Sequence, residues 1–293
     1  MRRLHRTVRA GHLPRPRPCF PAHHQVIEFE VLSSGSRGNA ALLHLQETGR
    51  HILVDAGISP RRTRKAMEMR GHGHRDITDV LLTHGDSDHL HTGWKNAIVS
   101  WAFTMHVHAS HVSRIVHAGI PRDRIQPFED MIALDDATNV STTMTPHDTH
   151  GTVAYVICHG QVSLGWATDL GRAEAALLSF FQGHQLDAIA IESNYDHDMQ
   201  VMSDRPPFLI DRIMGGAGHL SNRQSLDAVL EIASASELQH LVLLHRSEQC
   251  NCPTRINALW ESHAPHLHDR MVIASQCEAT GAMTVRPSEA FSR

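Results

Sequence analysis

The chain has 293 residues, of which 41% are hydrophobic, a normal share for a globular protein. Its apolar runs are far shorter than the roughly 18 consecutive residues that a membrane-spanning helix needs, which argues against an integral membrane protein. The net charge is −4, but the first 25 residues hold six arginines and no acid, so about −10 remains on the rest of the chain. Because nucleic-acid-binding surfaces normally show a basic excess, this acidic body counts against nucleic-acid binding.

Histidine and cysteine usage gives two further expectations. The 26 histidines favour a metal site without locating one. The five cysteines are scattered without the spacing of a disulfide framework, and the sequence shows no secretory signal. We therefore expect a cytoplasmic protein in a reducing compartment. The sequence indicates no particular oligomeric state.

Residues 1–25 are rich in Arg, Pro and His and lack hydrophobic periodicity, so we predict a disordered basic tail. A basic arm that binds nucleic acid is the alternative interpretation of this segment. Residues 26–293 contain no linker and no internal repeat. We expect them to form one α/β domain.

Hydrophobic patterning predicts the elements of this domain in chain order. Strands at 26–32, 41–45 and 51–54 come first, followed by a helix at 60–70, a strand at 79–83, a helix at 94–103, a strand at 105–108 and a helix at 111–118. Strands dominate 124–168, where 153–157 and 162–167 form a hairpin. The chain continues with a helix at 172–181, a strand at 187–191, a helix at 222–233 and a strand at 241–244. It ends with a helix at 253–260 and strands at 271–274 and 282–285. The pattern predicts two groups of strands with helices outside them.

The most informative segment is the turn His84-Gly85-Asp86-Ser87-Asp88-His89. It follows an apolar strand, precedes a helix and carries four potential metal ligands within six residues. A turn can direct such side chains at one point, whereas a helix or a strand would point them in different directions. The alternative interpretation is a solvated polar loop in which Asp88 caps the next helix.

Three further residues of metal-ligand type, His147, Asp169 and His245, each follow an apolar strand. Strand ends are where rigid scaffolds present functional side chains. The order of all these residues resembles that of the metallo-β-lactamase superfamily, which has a His-x-His-x-Asp-His turn, a later His, a bridging Asp and a final His. The resemblance implies an αββα sandwich with the site at one edge.

Members of that family bind two divalent metal ions. Carried over to this chain, the implied ligands are His84, Asp86 and His147 for the first ion, Asp88, His89 and His245 for the second, and Asp169 as the bridge. Asp86 stands where the common motif has His. A carboxylate in place of an imidazole hardens the ligand set and shifts its preference from Zn²⁺ toward Mn²⁺ or Fe²⁺.

Several segments narrow the resemblance to the YycJ/WalJ-type branch of the superfamily, whose members are regarded as DNA exonucleases. These segments are 32–39 (LSSGSRGN), 54–57 (VDAG), 191–194 (IESN), 218–222 (GHLSN) and 244–251 (LHRSEQCN). The residues in them that we take as candidate substrate contacts are Ser36, Arg37, Asn39, Asn194 and Asn222. The loop 34–39 offers backbone N–H groups to a phosphate, but a hairpin turn needs the same residues for geometry alone, and both interpretations stay open. Tyr195 stands where the branch usually has His, which puts part of its substrate contacts in question.

His219 is the candidate general acid, because it lies in a glycine-flanked loop before a helix, a poor place for a core histidine. Glu192 ends a buried strand and is expected to orient and charge this imidazole, a pairing that resembles the Glu–His pair of tRNase Z enzymes. The alternative is that His219 only caps the following helix. Asp88 is predicted to act in catalysis as well as in metal binding. Asp148 is expected to accept a hydrogen bond from the ligand imidazole of His147.

These features predict a metal-dependent hydrolase in which a hydroxide activated by two metals attacks phosphorus or a carbonyl carbon. The first interpretation is a phosphodiesterase that acts as a DNA exonuclease, with nucleic acid or a small phosphodiester as substrate. The alternative is a small-molecule hydrolase of the same fold, acting on a cyclic phosphodiester, a lactone or a thioester. A third is an inactive metal-binding protein with Asp86 as the lesion, although every other ligand position is filled.

Overall fold

The computed structural model describes residues 25–288. The predicted basic tail lies outside these residues except for Gln25, whose buried side chain accepts a hydrogen bond from the Gln161 N–H at 2.7 Å. None of the helices within residues 25–288 is long and apolar enough to cross a membrane.

Strands at the two ends of the chain form a first, seven-stranded sheet. Its members are β1 (Ile27–Ser33), β2 (Ala40–Leu45), β3 (Arg50–Val54), β4 (Ile77–Leu82), β5 (Thr104–His108), β6 (Ile125–Phe128) and β14 (Met283–Val285). Their spatial order is β14-β1-β2-β3-β4-β5-β6. Pairing is antiparallel from β14 to β3 and parallel from β3 to β6, so the carboxyl ends of β3, β4 and β5 meet at one edge.

The middle of the chain supplies a second seven-stranded sheet. Its members are β7 (Met131–Ala133), β8 (Thr138–Thr145), β9 (Thr152–His159), β10 (Val162–Ala167), β11 (Ala188–Glu192), β12 (His240–Leu244) and β13 (Met271–Ile273). Their order is β13-β12-β11-β10-β9-β8-β7. The predicted hairpin is confirmed, because Val162 pairs with His159 in the antiparallel register of β9 and β10.

Helices cover the outer face of each sheet. They are α1 (Pro60–Met69), α2 (Trp94–Trp101), α3 (Val112–His117), α4 (Ala175–Gln182), α5 (His197–Val201), α6 (Pro207–Met214), α7 (Asn222–Ala233), α8 (Pro253–His263) and α9 (Pro265–His268). One apolar cluster packs α1, α2 and α3 on the first sheet, and another packs α4, α7 and α8 on the second. A third cluster, with Leu43 and Tyr155 at its centre, fills the space between the sheets. The four layers confirm the predicted αββα sandwich.

Two local differences from the predicted elements have physical causes. The helix expected at 94–103 ends at Trp101, because Ala102 takes a left-handed conformation with φ 63°. Helices α5, α6 and α9 were not predicted. α5 and α9 have only five and four residues, and α6 begins at a Pro-Pro pair, which disrupts hydrophobic periodicity but suits the first turn of a helix.

The two sheets are joined directly at the edge where the parallel strands end. The buried Tyr155 hydroxyl, on β9, donates a hydrogen bond to the Leu82 carbonyl at 2.6 Å. One residue further along, the Thr83 carbonyl accepts from the Val153 N–H at 3.0 Å. These contacts fix the end of β4, and with it the turn that starts at His84, against the second sheet.

The inter-sheet core generates a stability prediction. Replacement of Leu43, which is fully buried between the sheets, by Ala should lower the free energy of unfolding by about 2–5 kcal/mol, since it removes apolar contacts and leaves a cavity. The control is Met69→Ala on α1, where the side chain is 76% exposed and the change should stay within about 0.5 kcal/mol. Chemical denaturation measures both values. Equal losses in the two variants would contradict this assignment of the core.

Candidate metal centre

The turn after β4 is held by main-chain hydrogen bonds. The Asp86 carbonyl accepts from the His89 N–H at 2.9 Å, which closes the turn. The Asp88 carbonyl accepts from the Asn39 N–H at 2.7 Å, and the His89 carbonyl accepts from the Ala56 N–H at 2.8 Å. The turn is therefore fixed against the loop 34–39 and against the end of β3.

The second sheet contributes His147, Asp169 and His245, which follow β8, β10 and β12. Asp169 and His245 have left-handed backbone conformations, with φ 55° and 52°, and Asp55 at the end of β3 has φ 62°. Such conformations are costly for residues with a Cβ atom and cluster at functional sites. Strand ends from both sheets thus bring acids and imidazoles to the same edge of the sandwich.

The predicted metal ligands form two adjoining groups. Within each group the ligand atoms lie within 4.8 Å of one another, and the groups are His84 with His147 and Asp169, and Asp88 with His89 and His245. Asp86 belongs beside the first group, because its Oδ2 lies 3.7 Å from His84 Nε2.

The Asp169 carboxylate lies between the two groups. Its Oδ1 is 3.9 Å from His147 Nε2 and 3.4 Å from His245 Nε2. Its Oδ2 is 2.9 Å from His89 Nε2. A carboxylate in this position can contact a cation in either group.

Four of the predicted metal ligands are histidines: His84, His89, His147 and His245. Each imidazole directs Nε2 toward the acids of the centre and Nδ1 toward a group outside the centre, its outer partner. The outer partners are Thr83 Oγ1 for His84 at 3.0 Å, Asp55 Oδ2 for His89 at 2.7 Å and the Gly218 carbonyl for His147 at 3.0 Å. In these three rings an oxygen acceptor at Nδ1 selects the tautomer that leaves the Nε2 lone pair free for a metal. His245 Nδ1 lies 3.0 Å from the Asn194 amide nitrogen and 3.5 Å from Glu192 Oε1. The prediction that Asp148 accepts from His147 is wrong, because the Gly218 carbonyl occupies that position and Asp148 pairs with Arg212.

Burial and mutual charge shift the titration of these groups. Burial lowers the pKa of His245, but the Asp169, Asp88 and Glu192 carboxylates outweigh it and raise this pKa to about 10. Burial raises the pKa of Asp169, yet the imidazoles of His245 and His89 hold it well below its usual range. Buried carboxylates are stable only when they are paired with positive charge or coordinate metals.

The residues therefore fit two divalent cations. Buried negative charge is concentrated at the centre, and four imidazole rings face it, three of which have an oxygen acceptor at Nδ1. Imidazoles suit Zn²⁺, whereas carboxylates suit harder ions such as Mn²⁺. The mixed donor set is compatible with both.

Asp86, the departure from the common motif, has a second partner. Its Oδ1 lies 2.6 Å from Arg114 Nη2, while its Oδ2 faces His84. The Arg114 guanidinium and a metal at the first group would share this carboxylate. Arg114 could not be selected from the sequence, because it lies on a helix remote in sequence from the ligand motifs.

Glu192 and His219 are brought together beside the centre. His219 Nδ1 lies 2.7 Å from Glu192 Oε1 and 3.7 Å from Asp169 Oδ1. Glu192 is fully buried, and its Oε2 accepts hydrogen bonds from the N–H groups of Leu170 and Leu220 at 2.8 and 3.0 Å. The His219 side chain is 20% exposed, so the paired imidazole is partly open to solvent.

The candidate substrate contacts fall into two classes. Ser36 and Arg37 are exposed on the loop 34–39, and the Arg37 guanidinium pairs with Glu248 at 2.9 Å. Asn39, Asn194 and Asn222 are buried and hydrogen-bonded within the protein.

The partners of these three amides favour positioning roles. Asn39 Nδ2 lies 3.0 Å from His89 Nε2 and its Oδ1 accepts from the Gly35 N–H. Asn194 donates to the His245 carbonyl at 2.7 Å. Asn222 exchanges hydrogen bonds with Asn251. Contact of these amides with substrate stays a prediction.

Tyr195, at the position where the branch usually has His, is buried rather than presented to a substrate. It packs with Ile213 and Cys250 in a small apolar cluster behind the site.

Asp55 is the main residue whose role the sequence did not reveal. Its Oδ1 accepts from the Thr83 N–H and hydroxyl at 2.9 Å, and its Oδ2 pairs with His89 Nδ1. The Thr83 hydroxyl in turn lies 3.0 Å from His84 Nδ1, so one carboxylate orients two imidazoles. The available signal was an acid directly after a buried strand, the same pattern that singled out Asp169.

The sandwich and its edge site define a class, the metal-binding α/β hydrolases with two facing sheets. A sequence model described as the beta-lactamase superfamily domain matches residues 50–245. The chain belongs to the metallo-β-lactamase superfamily, whose members are typically hydrolases.

Relatives within this family agree with the assignment. The chain is 26% identical over 227 residues to exodeoxyribonuclease YycJ of Bacillus anthracis, covering 75% of this chain and 83% of that protein. It is 22% identical over 231 residues to exodeoxyribonuclease WalJ of Streptococcus pneumoniae serotype 2 (strain D39), covering 76% and 83%. Among solved structures, the metallo-β-lactamase fold protein YhfI from Bacillus subtilis superposes with a TM-score of 0.64 at 13% identity, over 89% of this chain and 99% of that one.

The outer partner of His89 generates the next prediction. Asp55→Asn keeps every proposed ligand but removes the carboxylate that orients His89, so metal affinity should fall by about 10–100-fold. The control is Asp79→Asn on β4, which disrupts another buried Asp–His pair, 2.8 Å to His106, together with an ion pair to Arg50. Metal titration by calorimetry measures both. A loss of affinity that is the same in the two variants would mean that Asp55 acts only through stability.

Asp86 is tested by restoring the common motif. Asp86→His should raise the affinity for Zn²⁺ relative to Mn²⁺, because imidazole is a softer, neutral donor. Competition titrations with the two ions measure the ratio. If the metal preference is unchanged, Asp86 is not a ligand and its partner is Arg114 alone.

Proposed function

We propose that this chain is a metal-dependent phosphodiesterase that acts as a DNA exonuclease. The observation that carries the proposal is the Glu192–His219 pair, 2.7 Å apart and adjacent to the bridging Asp169. A partly exposed imidazole held by a buried carboxylate is suited to protonate a leaving oxygen, which alkoxide leaving groups such as those of DNA require. The names of the YycJ and WalJ relatives point to the same substrate class.

The proposed metal ligands are the seven residues of the two groups. They are His84, Asp86, Asp88, His89, His147, Asp169 and His245. Two divalent ions bound there would lower the pKa of a shared water toward about 7 and offset the charge that builds on the phosphate oxygens. The other steps depend on residues of the chain itself.

Glu192 fixes the general acid in place. Two main-chain N–H groups hold its Oε2, and its Oε1 accepts from His219 Nδ1. This arrangement leaves Nε2 as the nitrogen that can carry a proton to the leaving oxygen. Asp88, beside His245 at 3.4 Å, is proposed to orient the attacking water as well as bind metal.

Three arginines flank the proposed centre and are proposed to bind phosphate. Arg114 pairs with Asp86, Arg212 pairs with Asp148, and Arg37 pairs with Glu248. Their side chains are between 43% and 64% exposed. Since exposed ion pairs are weak, at about 0–1 kcal/mol, a phosphate group can compete with these acids for the guanidinium groups.

A second candidate function follows from charge. Outside its first 25 residues the chain carries about −10, which disfavours a long polyanion as substrate. A hydrolase for a small cyclic phosphodiester, lactone or thioester would not need a long basic surface, and the three arginines beside the centre would be enough to bind its substrate. The two functions would use the same proposed metal centre and differ in the protein surface around it that contacts the substrate.

The substrate class is tested with end-labelled linear DNA, circular DNA and small phosphodiesters and lactones, in the presence of Mn²⁺ or Zn²⁺. The exonuclease proposal predicts release of nucleotides from linear DNA and no cleavage of the circle, because only a free end can enter. Asp88→Ala should abolish the activity. Turnover of small substrates alone would favour the second function.

The general acid is tested separately. His219→Ala should keep both metals and slow substrates with poor leaving groups by roughly 10²–10⁴-fold, with a far smaller loss on a p-nitrophenyl ester, whose leaving group departs unprotonated. Glu192→Gln should give a milder form of the same pattern. His197→Ala, an exposed histidine paired with Asp198, is the control and should change neither rate. If His219→Ala loses metal or slows both substrates equally, His219 is not the acid.

A further inference from the structure

A second cluster of imidazoles lies on the outer face of the first sheet, away from the centre described above. It consists of His44 on β2, His51 on β3 and His72, which follows α1. His51 is at the start of β3, whereas Asp55, which touches the catalytic centre, follows the end of that strand. The three side chains have no role in the proposed hydrolysis.

Strand register builds this cluster. Glu28 on β1 lies opposite His44, and His44 lies opposite His51, so three neighbouring strands align a carboxylate and two imidazoles in one row. The rings of His44 and His51 stack with centroids 4.3 Å apart. His72 covers them, with its ring centroid 4.3 Å from that of His51. One nitrogen from each ring lies within 4.8 Å of the others.

His51 has no satisfactory partner in this arrangement. It is 4% exposed, and neither of its ring nitrogens makes a hydrogen bond. Buried polar atoms without a partner are rare and call for an explanation, such as an ion. Burial lowers the pKa of His51, and the neighbouring imidazoles of His44 and His72 lower it further, to about 4, against small opposing effects of the Gly49 carbonyl and Asp76. Its two unpartnered ring nitrogens are therefore available to a ligand such as a metal ion.

The surroundings suit a cation. A pocket of about 230 Å³ adjoins the three rings and is also lined by Glu28, Glu30 and Arg70. The Arg70 guanidinium is neutralised by its ion pair with Glu30, so it does not oppose a cation. Glu28 lies opposite His44, and its negative charge favours a cation here.

We propose that His44, His51 and His72 form a separate binding site for a divalent transition-metal ion of the zinc class. Three imidazoles with a carboxylate or a water as fourth ligand form a common tetrahedral set for Zn²⁺. The ion would connect β2 and β3 to the segment after α1. Its role would be structural, because the site lacks a paired general acid of the kind that Glu192 and His219 form.

The experiment is equilibrium dialysis of the full chain against Zn²⁺, followed by elemental analysis. His72→Ala should bind about one ion fewer per chain than the unaltered protein, since a site with two imidazoles left no longer holds Zn²⁺ under the same conditions. Its hydrolytic rate should be unchanged. The matched control is His74→Ala, two residues away, whose ring packs on Trp101 and which should bind as many ions as the unaltered protein.

A second variant guards against indirect effects of folding. His44→Gln, at a partly exposed position on β2, should lose the same ion while keeping a cooperative thermal unfolding transition. Equal zinc content in the unaltered chain, His72→Ala and His44→Gln would overturn the proposal. A loss of zinc in His74→Ala equal to that in His72→Ala would do so as well. These readings are differences between variants, so they do not depend on the activity or occupancy of the catalytic centre.

Discussion

The architecture of the site depends on one buried carboxylate that is surrounded by imidazoles. Asp169 is only 2% exposed, and its two oxygens face His89, His147 and His245. Removing a charge from water is costly unless opposite charge is placed close to it. Neighbouring acids such as Asp88 increase the amount of positive charge that is needed. Divalent cations meet that demand better than imidazolium protons, because each brings two positive charges and accepts several donors at once.

The fold meets this constraint by ending strands of both sheets at one edge. The turn after β4 comes from the first sheet, and three of the proposed ligands come from the second, so neither sheet alone could form the site. The Tyr155–Leu82 and Val153–Thr83 hydrogen bonds fix the position of the two sheets relative to one another at this edge. Asp55 then orients His89 directly and His84 through Thr83. The contacts that hold the two sheets together therefore also determine the geometry of the centre.

Much of this structure could be predicted from the sequence, for identifiable reasons. Buried strands and amphipathic helices are visible as local periodicity, and the turn at His84 concentrates ligand-type residues within a few positions. What the sequence could not provide is which distant groups meet. Asp55 and Arg114 acquire their roles only through tertiary contacts, and Asp148 pairs with Arg212 rather than with its neighbour His147. Helices α5 and α9 were missed because they are too short for a clear pattern, and α6 was missed because its Pro-Pro start is typical of a loop.

Two cations are proposed to flank Asp169 at this edge of the sandwich. The most direct test is anomalous diffraction from crystals of the full chain grown with Zn²⁺, measured on both sides of the zinc absorption edge. Two anomalous peaks that share Asp169 are expected, one beside His84 and His147 and the other beside His89 and His245. A single peak that does not contact Asp169, or no peak at these residues at saturating Zn²⁺, would contradict the two-metal centre.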